Sequence, residues 1–220
     1  MADYKDIVGS KVTAVSSNPT HPADGQVWYN TTDNVLRYRK TVSVAAWSTG
    51  GTLNTGRDAQ GQAGPQTSAI VMGGLVGDSS YQTIAETYNG TSFTEVGDLN
   101  AARSVGGSAG TATAALYFNG EMPASPNIFG GNESWNGSSW TEVNDANTAR
   151  RFATGAGIQT SALSIGGDTP TGVAITESWD GSSWTEVGDL NTARGVGASA
   201  GADNTSALLF GGGPPSFGAA

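Results

Sequence analysis

Arginine and glutamate recur in step along this chain, and these charges are the first candidates for chemistry. An arginine stands ten residues after a recurring aromatic, at Arg57, Arg103, Arg150 and Arg194. A ring of such arginines at one mouth of a channel could bind an anion. Alternatively, each could pair with a carboxylate such as Asp98, Asp145 or Asp189 and stabilise the fold. We favour the structural role, because binding sites usually break the symmetry of a repeat.

The aromatic residues offer a second chemistry, since a flat indole can stack on a sugar ring. Four of them recur at spacings of 46, 47 and 44 residues: Trp47, Phe93, Trp140 and Trp184. Residues at repeated positions are expected to pack in the core. Trp28 has no equivalent in the other repeats and is the freer candidate for a contact.

The remaining inventory argues against catalysis. The chain has one histidine and no cysteine, which removes thiolate chemistry, and no set of acid, base, nucleophile or metal ligands can be assembled. We therefore expect no enzyme activity and no cofactor. A net charge of −9 with ten basic residues argues against a nucleic-acid partner. No apolar run approaches the length that membrane insertion needs.

The elements that carry these residues form a repeat. The segment Glu133–Val143 recurs as Glu177–Val187, and a looser copy covers Glu86–Val96. Each copy contains an Asn-Gly or Asp-Gly hairpin signal. A small-residue stretch and an apolar strand ending in a glycine pair precede each copy, with Asn119 replacing one glycine. Four short strands at a period in the forties indicate a β-propeller in an all-β fold.

The termini hold the remaining strands. Val27–Asn30 and Val35–Arg39 resemble third and fourth strands, and the chain's repeat ends after a first and second strand. We predict four blades, closed by pairing of the N-terminal and C-terminal half-blades, which leaves no exposed sheet edge. Exchange of the halves between subunits stays open. The predicted division is an N-terminal arm over 1–26, a propeller over 27–213 and a tail over 214–220.

The repeat resembles a known family. Its glycine pair, Glu-x-aromatic strand, outer aromatic and following arginine resemble a kelch-type propeller over residues 27–213. The Glu-Ser-Trp-Asn-Gly-Ser-Ser-Trp-Thr-Glu-Val motif with a following Asn-Thr-Ala-Arg is similar to kelch-like proteins of tailed bacteriophages, and residues 22–37 resemble a segment of phage tail and fibre proteins. A copper oxidase of the galactose oxidase type, which is also a kelch propeller, is excluded because its site needs a cysteine and several histidines.

The resemblance implies a virion structural protein, made in the host cytoplasm, whose arm attaches to other virion proteins and whose propeller faces outward. A tail fibre or tip that touches a host glycan or protein is the first expectation. A capsid decoration or head fibre, and a cytoplasmic kelch scaffold, are the alternatives, and a homo-oligomer in the particle is expected. Binding in propellers concentrates in non-repeating loops. The predicted contact surface therefore comprises Trp28, Asp78, Tyr81, Glu121, Met122, Pro123 and Asn127.

Overall fold

A computed structural model describes residues 12–21, 26–39, 49–123 and 127–213. All regular secondary structure in these residues is β-strand, arranged mainly in antiparallel sheets, so the predicted all-β class is confirmed. Within the described part of the chain, no helix has the length and hydrophobicity that a bilayer crossing requires. The chain divides into two units, Met1–Thr49 and Gly50–Ala220.

The first unit contains a three-stranded sheet of β1 (Thr13–Val15), β2 (Val27–Asn30) and β3 (Val35–Tyr38). Strand β1 pairs parallel with β2, and β2 pairs antiparallel with β3. Residues 13–15, predicted as part of an extended arm, are thus one strand of this sheet. Because β1 and β3 flank β2, both edges of β2 are occupied.

The second unit contains three four-stranded antiparallel sheets, each built from one repeat in the predicted order of strands. Sheet I consists of β4 (Gly61–Ala63), β5 (Ala69–Met72), β8 (Ala85–Tyr88) and β9 (Phe93–Glu95). Sheet II consists of β10 (Gly107–Thr111), β11 (Ala114–Phe118), β12 (Asn132–Trp135) and β13 (Trp140–Val143). Sheet III consists of β14 (Thr154–Ile158), β15 (Ser161–Ile165), β16 (Thr176–Trp179) and β17 (Trp184–Glu186).

Two further sheets of this unit have two strands each. A small hairpin of β6 (Leu75–Val76) and β7 (Ser80–Tyr81) lies between the second and third strands of sheet I. Sheet IV has only two strands, β18 (Gly195–Asp203) and β19 (Ser206–Gly213), which correspond to the first and second strands of the repeat. The first strands of neighbouring sheets contact one another in chain order, β4 to β10, β10 to β14 and β14 to β18.

Aromatic residues fill the spaces between consecutive sheets. Trp135 and Trp140 of sheet II pack with Ile70 and Met72 of sheet I in one buried cluster. A second cluster joins sheets II and III, and within it the rings of Phe118 and Trp184 meet edge to face with centroids 5.0 Å apart. The two tryptophans of each hairpin face each other across the Asn-Gly or Asp-Gly turn, with centroids 5.3 Å apart in sheets II and III.

The first position of each glycine pair needs a left-handed backbone. Gly73, Gly166 and Gly211 have φ values of 63°, 63° and 70°, and Asn119 takes their place in the second repeat with φ of 60°. Asparagine tolerates this conformation better than most residues, which explains why Asn119 can replace the glycine at this position.

Sheet IV has two strands among the described residues, and β2 is paired on both edges within its own sheet. The predicted closure of a fourth blade by the N-terminal and C-terminal half-blades stays a prediction. Trp47, predicted as the outer aromatic of the N-terminal half-blade, and the tail over 214–220 lie outside the described residues.

Candidate functional site

The repeated arginines of the first three repeats pair with a glutamate on the third strand of the sheet that follows them. The pairs are Arg57 with Glu86, Arg103 with Glu133 and Arg150 with Glu177, and all six side chains are buried. The predicted partners Asp98, Asp145 and Asp189 do not form these pairs. The aspartates are closer to the arginines along the sequence. In the folded sheet, strand pairing places the third strand, with its glutamate, beside the arginine.

Each glutamate is also bound by the backbone that precedes the arginine. In sheet III, Oε2 of Glu177 accepts hydrogen bonds from the backbone N–H of Asn147 at 2.7 Å and from its Nδ2 at 2.9 Å. The Thr148 N–H donates to Oε1 at 3.2 Å, and Arg150 donates to the same oxygen. Four donors around one carboxylate provide the charge-assisted hydrogen bonds that a buried ion needs.

The electrostatics agree with this geometry. Burial alone would raise the pKa of Glu86, but hydrogen bonds from Arg57 and from the N–H groups of Asn54 and Thr55 hold it below its ordinary value. Burial lowers the pKa of Arg150, and pairing with Glu177 opposes that shift. The first three repeated arginines are therefore structural groups whose charge is already neutralised, and they do not form a free anion site.

Two residues after each repeated arginine, the backbone takes an unusual conformation. Ala59, Val105, Phe152 and Val196 have φ values of 53°, 49°, 58° and 58°, which residues with a side chain rarely adopt. The N–H groups of the last three donate to the carbonyl of the equivalent residue one repeat earlier: Val105 to Ala59 at 2.8 Å, Phe152 to Val105 at 2.8 Å, and Val196 to Phe152 at 3.1 Å. The strained backbone thus supports a chain of hydrogen bonds across the four sheets.

All four sheets line one cavity of about 380 Å³. Its wall comes from the first strands and the residues before them, for example Gln62, Ser108, Gly155 and Ser199. A second cavity of about 670 Å³ shares these residues and opens near the turns after the first strands. The described residues that line either cavity include no Asp, Glu, His, Lys or Arg. Small hydroxyl groups and backbone atoms at these walls can hold water or a neutral ligand.

A cluster of polar side chains lies on the loops that join second and third strands and on the segment between β13 and β14, which carries Arg151. Glu121 is its centre: Oε1 accepts hydrogen bonds from the Tyr81 hydroxyl at 3.1 Å and from Asn127 Nδ2 at 2.7 Å. Nη1 of Arg151 lies 3.3 Å from Glu121 Oε2, and its Nε donates to Asp168 at 3.1 Å. Loops of sheets I, II and III thereby meet in what we term the loop-face cluster (Tyr81, Glu121, Asn127, Arg151 and Asp168).

The protonation state of Tyr81 preserves its hydrogen bond to Glu121. Burial, together with the hydrogen bond to Glu121, raises the pKa of Tyr81. Its hydroxyl therefore stays protonated at neutral pH and remains a donor to the carboxylate.

The loops that join second and third strands form one face of the sheets, which we term the loop face. The backbone pairing at this face repeats from sheet to sheet, whereas the side chains differ. The residue after each glycine pair forms an antiparallel bridge with the residue after the repeated arginine: Leu75 with Asp58, Glu121 with Ser104, and Asp168 with Arg151. One backbone position therefore carries an apolar residue, a glutamate and an aspartate in three successive sheets. Such variation on a fixed scaffold is typical of a recognition surface.

The structure unites some predicted contact residues and separates others. Tyr81, Glu121 and Asn127 belong to the loop-face cluster. Of the remaining three on these loops, Asp78 and Pro123 are exposed and Met122 is half-buried. Arg151 and Asp168 were missed from the sequence, although their positions directly after the repeated arginine and glycine pair could have marked them.

Trp28 is not available for the surface contact predicted for it. Its indole is buried in the first unit, and Nε1 donates to Asn18 Oδ1 at 3.2 Å. The same Asn18 oxygen accepts a hydrogen bond from Asn30 at 3.0 Å. This asparagine, from a segment predicted to be an arm, gives Trp28 the polar partner that a buried indole needs.

Comparison with known proteins adds no family. No model of a known protein family matches the chain, and no curated protein matches it. The kelch and phage resemblance therefore depends on the motifs alone and remains a prediction.

No group of His, Cys, Asp or Glu side chains in the described residues is arranged to hold a metal ion.

Proposed function

We propose that this chain is a non-enzymatic structural protein of a tailed-phage virion, built on a kelch-type β-propeller of four blades whose loop face contacts the host surface. Sheets I to III are the complete blades, and sheet IV is the first half of the fourth. Segment 1–26 attaches the protein to other virion components.

The propeller part of this proposal is supported by the arrangement of the four sheets. Each repeat forms one sheet, consecutive sheets pack through their aromatic residues, and the four first strands border one cavity. The hydrogen-bonded series from Ala59 to Val196 links equivalent atoms of successive sheets. Radial repetition around a central channel has these features.

The binding part is supported by the distribution of repeated and non-repeated residues. The arginines and third-strand glutamates of the first three repeats are buried in ion pairs, and the tryptophans of sheets II and III are packed between sheets. The observation that carries the proposal is the variation at Leu75, Glu121 and Asp168, which occupy one backbone position of the repeat. Tyrosine, arginine and asparagine around Glu121 supply the donors and the aromatic surface that glycan or protein recognition uses.

Quantitative mass spectrometry of purified particles tests the virion assignment. A virion component is expected at a fixed copy number relative to the major capsid protein through successive purification steps. A copy number that falls with purification, with the protein recovered in the soluble host fraction, would overturn the proposal and favour a cytoplasmic scaffold.

Imaging of intact particles with a tag on this chain then separates its possible locations. Signal at the tail tip or fibres fits host contact by the loop face. Signal on the head would assign the chain to capsid decoration and overturn the tail location.

A further inference from the structure

Sheet IV lacks two strands, and its apolar second strand is exposed as a result. Leu208 and Phe210 of β19 are 63% and 50% exposed. Leu116 and Phe118 occupy the same repeat positions in β11 of sheet II, and both are 0% exposed. Only β18 pairs with β19 among the described strands, so the second edge of β19 offers free backbone donors and acceptors.

The segment before sheet IV nevertheless has the same backbone position as the segments before the complete sheets. The Leu190 N–H donates to the Ala174 carbonyl at 3.0 Å, and the Gly167 N–H donates to the Arg194 carbonyl at 2.9 Å. The segment before sheet II makes the same two bonds, each at 2.9 Å. Arg194 also donates to the Gly211 carbonyl at 2.9 Å, which directs its guanidinium toward sheet IV.

This segment carries the hydrogen-bond donors that surround a glutamate in the other repeats, which we term the carboxylate receptor, but no carboxylate of the described residues is bound there. Asn191, Thr192 and Arg194 stand at the positions of Asn147, Thr148 and Arg150, whose donors surround Glu177. Among the described residues, no Asp or Glu pairs with Arg194. The donors that bind a glutamate in three repeats are therefore present in the fourth without that ligand.

A second position in sheet IV is shaped for the same missing strand. In each complete sheet, an alanine of the second strand lies opposite the aromatic that follows the glutamate by two residues. The pairs are Ala69 with Tyr88, Ala115 with Trp135, and Ala162 with Trp179. Ala207 is the equivalent alanine of β19 and is exposed. The glutamate itself would lie opposite Leu209, as Glu177 lies opposite Ser164 in sheet III.

The chain has no glutamate left to fill this receptor. Its glutamates are Glu86, Glu95, Glu121, Glu133, Glu142, Glu177 and Glu186. Three are paired with the other repeated arginines, and three lie on the fourth strands opposite them. Glu121 belongs to the loop-face cluster. A second copy of the chain has the same glutamates engaged in the same way and has none to give.

The N-terminal hairpin does not fit the receptor either. Residues 27–38 contain no glutamate, and Asp33, their one acidic residue, forms a salt bridge with Arg37 at 2.9 Å. The β2 edge that would pair with β19 is already paired with β1.

We propose that the edge of β19 accepts a β-hairpin from a separate polypeptide whose first strand carries a glutamate and, two residues later, an aromatic. The incoming strand pairs antiparallel with β19, its glutamate is bound by Asn191, Thr192 and Arg194, and its aromatic covers Ala207. Main-chain hydrogen bonds provide affinity in such strand addition, and side-chain pockets provide specificity. The buried carboxylate makes the interaction selective for an acidic strand.

A synthetic peptide with the sequence of residues 176–187 is the probe, because this segment is the hairpin that completes sheet III. Binding of the labelled peptide to the full-length chain is measured by fluorescence anisotropy. We expect saturable binding, and a copy with Glu177→Gln is expected to bind at least about tenfold more weakly, because it loses a charged hydrogen-bonded group.

Variants of the full-length chain locate the site. Arg194→Ala is expected to weaken binding of the unmodified peptide at least about tenfold. Ala207→Trp is expected to abolish binding because the indole fills the space for the aromatic. Arg37→Ala removes the same charge from an exposed position and is expected to leave binding unchanged. Absence of saturable binding, or equal binding by the glutamine copy or by the Arg194→Ala chain, would overturn the proposal.

Discussion

Replacement of Glu177 by glutamine tests the buried ion pairs that join each repeat to its arginine. Glutamine keeps the shape of the side chain but removes the charge that four donor groups surround. Its own amide N–H₂ group must face either Arg150 or the Asn147 N–H, so at least one donor loses its acceptor. Arg150, which is fully buried, would then lack a counterion.

Removal of one member of a buried, hydrogen-bonded ion pair costs about 3–5 kcal/mol. For a chain of this size that loss lowers the melting temperature by roughly 6–20 °C. Urea unfolding, followed by circular dichroism and tryptophan fluorescence, measures the free energy of unfolding directly.

Glu186→Gln provides the matched control. Glu186 lies directly opposite Glu177 on the neighbouring strand, but its side chain is exposed. An exposed substitution of this kind should change the free energy of unfolding by less than about 0.5 kcal/mol. A loss below about 1 kcal/mol for Glu177→Gln, or equal losses for the two variants, would refute the structural role of the ion pair.

Three further predictions follow from the repeat. Arg150→Ala should lower the free energy of unfolding by about 3–5 kcal/mol, because it leaves Glu177 without its buried partner. Arg194→Ala should lower it by less than about 1 kcal/mol, because Arg194 has no buried carboxylate partner in the described structure. Equal losses for the two variants in urea unfolding would contradict this. Trp184→Ala should cost about 3–5 kcal/mol, since its ring packs between sheets II and III, and an unchanged melting temperature would refute that packing. Backbone hydrogen bonds from the two serines of the turn lower the pKa of Asp180 from 3.8 to about 2, so its contribution to stability is present above pH 3.8 and is lost as the pH falls through 2. Asp180→Asn should therefore reduce the fall in melting temperature between about pH 4 and pH 2 while preserving the turn, as Asn136 does in sheet II, and an unaltered pH profile would be inconsistent with this assignment.

The repeat made the strands of sheets I to III predictable from the sequence. The Asn-Gly and Asp-Gly hairpins, the glycine pairs and the spacing of the aromatics each have a local cause that acts in the same way in every copy. The alignment of Asn119 with the first glycine of each pair has the same basis, and the left-handed backbone of Asn119 agrees with that alignment.

The partners of the arginines were not predictable in this way. Arg150 and Glu177 are 27 residues apart and meet only because β16 returns along β15, whereas Asp145 is close in sequence but does not pair with the arginine. Spacing along the chain carries no information on which carboxylate a folded sheet brings to a given guanidinium.

The loop-face cluster was only partly predictable, because its residue types do not repeat. Arg151 and Asp168 occupy repeat positions whose residue type changes from one repeat to the next, so their positions are periodic but their charges are not. Trp28 illustrates a further limit: its lack of an equivalent suggested a free surface residue, but Asn18 and the short strand β1 give it a buried position in the first unit.

Binding to host cells tests most directly the claim that repeated residues build the scaffold and non-repeated loop residues bind. The measurement is the apparent affinity of the fluorescently labelled full-length chain for intact host cells, with the melting temperature recorded in parallel. A chain carrying Asp78→Lys and Asn127→Lys, both at exposed loop-face positions, is compared with Thr160→Lys, which lies in the exposed turn between β14 and β15.

The account predicts that the loop-face variant binds at least about tenfold more weakly with an unchanged melting temperature, and that Thr160→Lys binds like the unmodified chain. Unchanged binding of the loop-face variant, or an equal loss with Thr160→Lys, would contradict it.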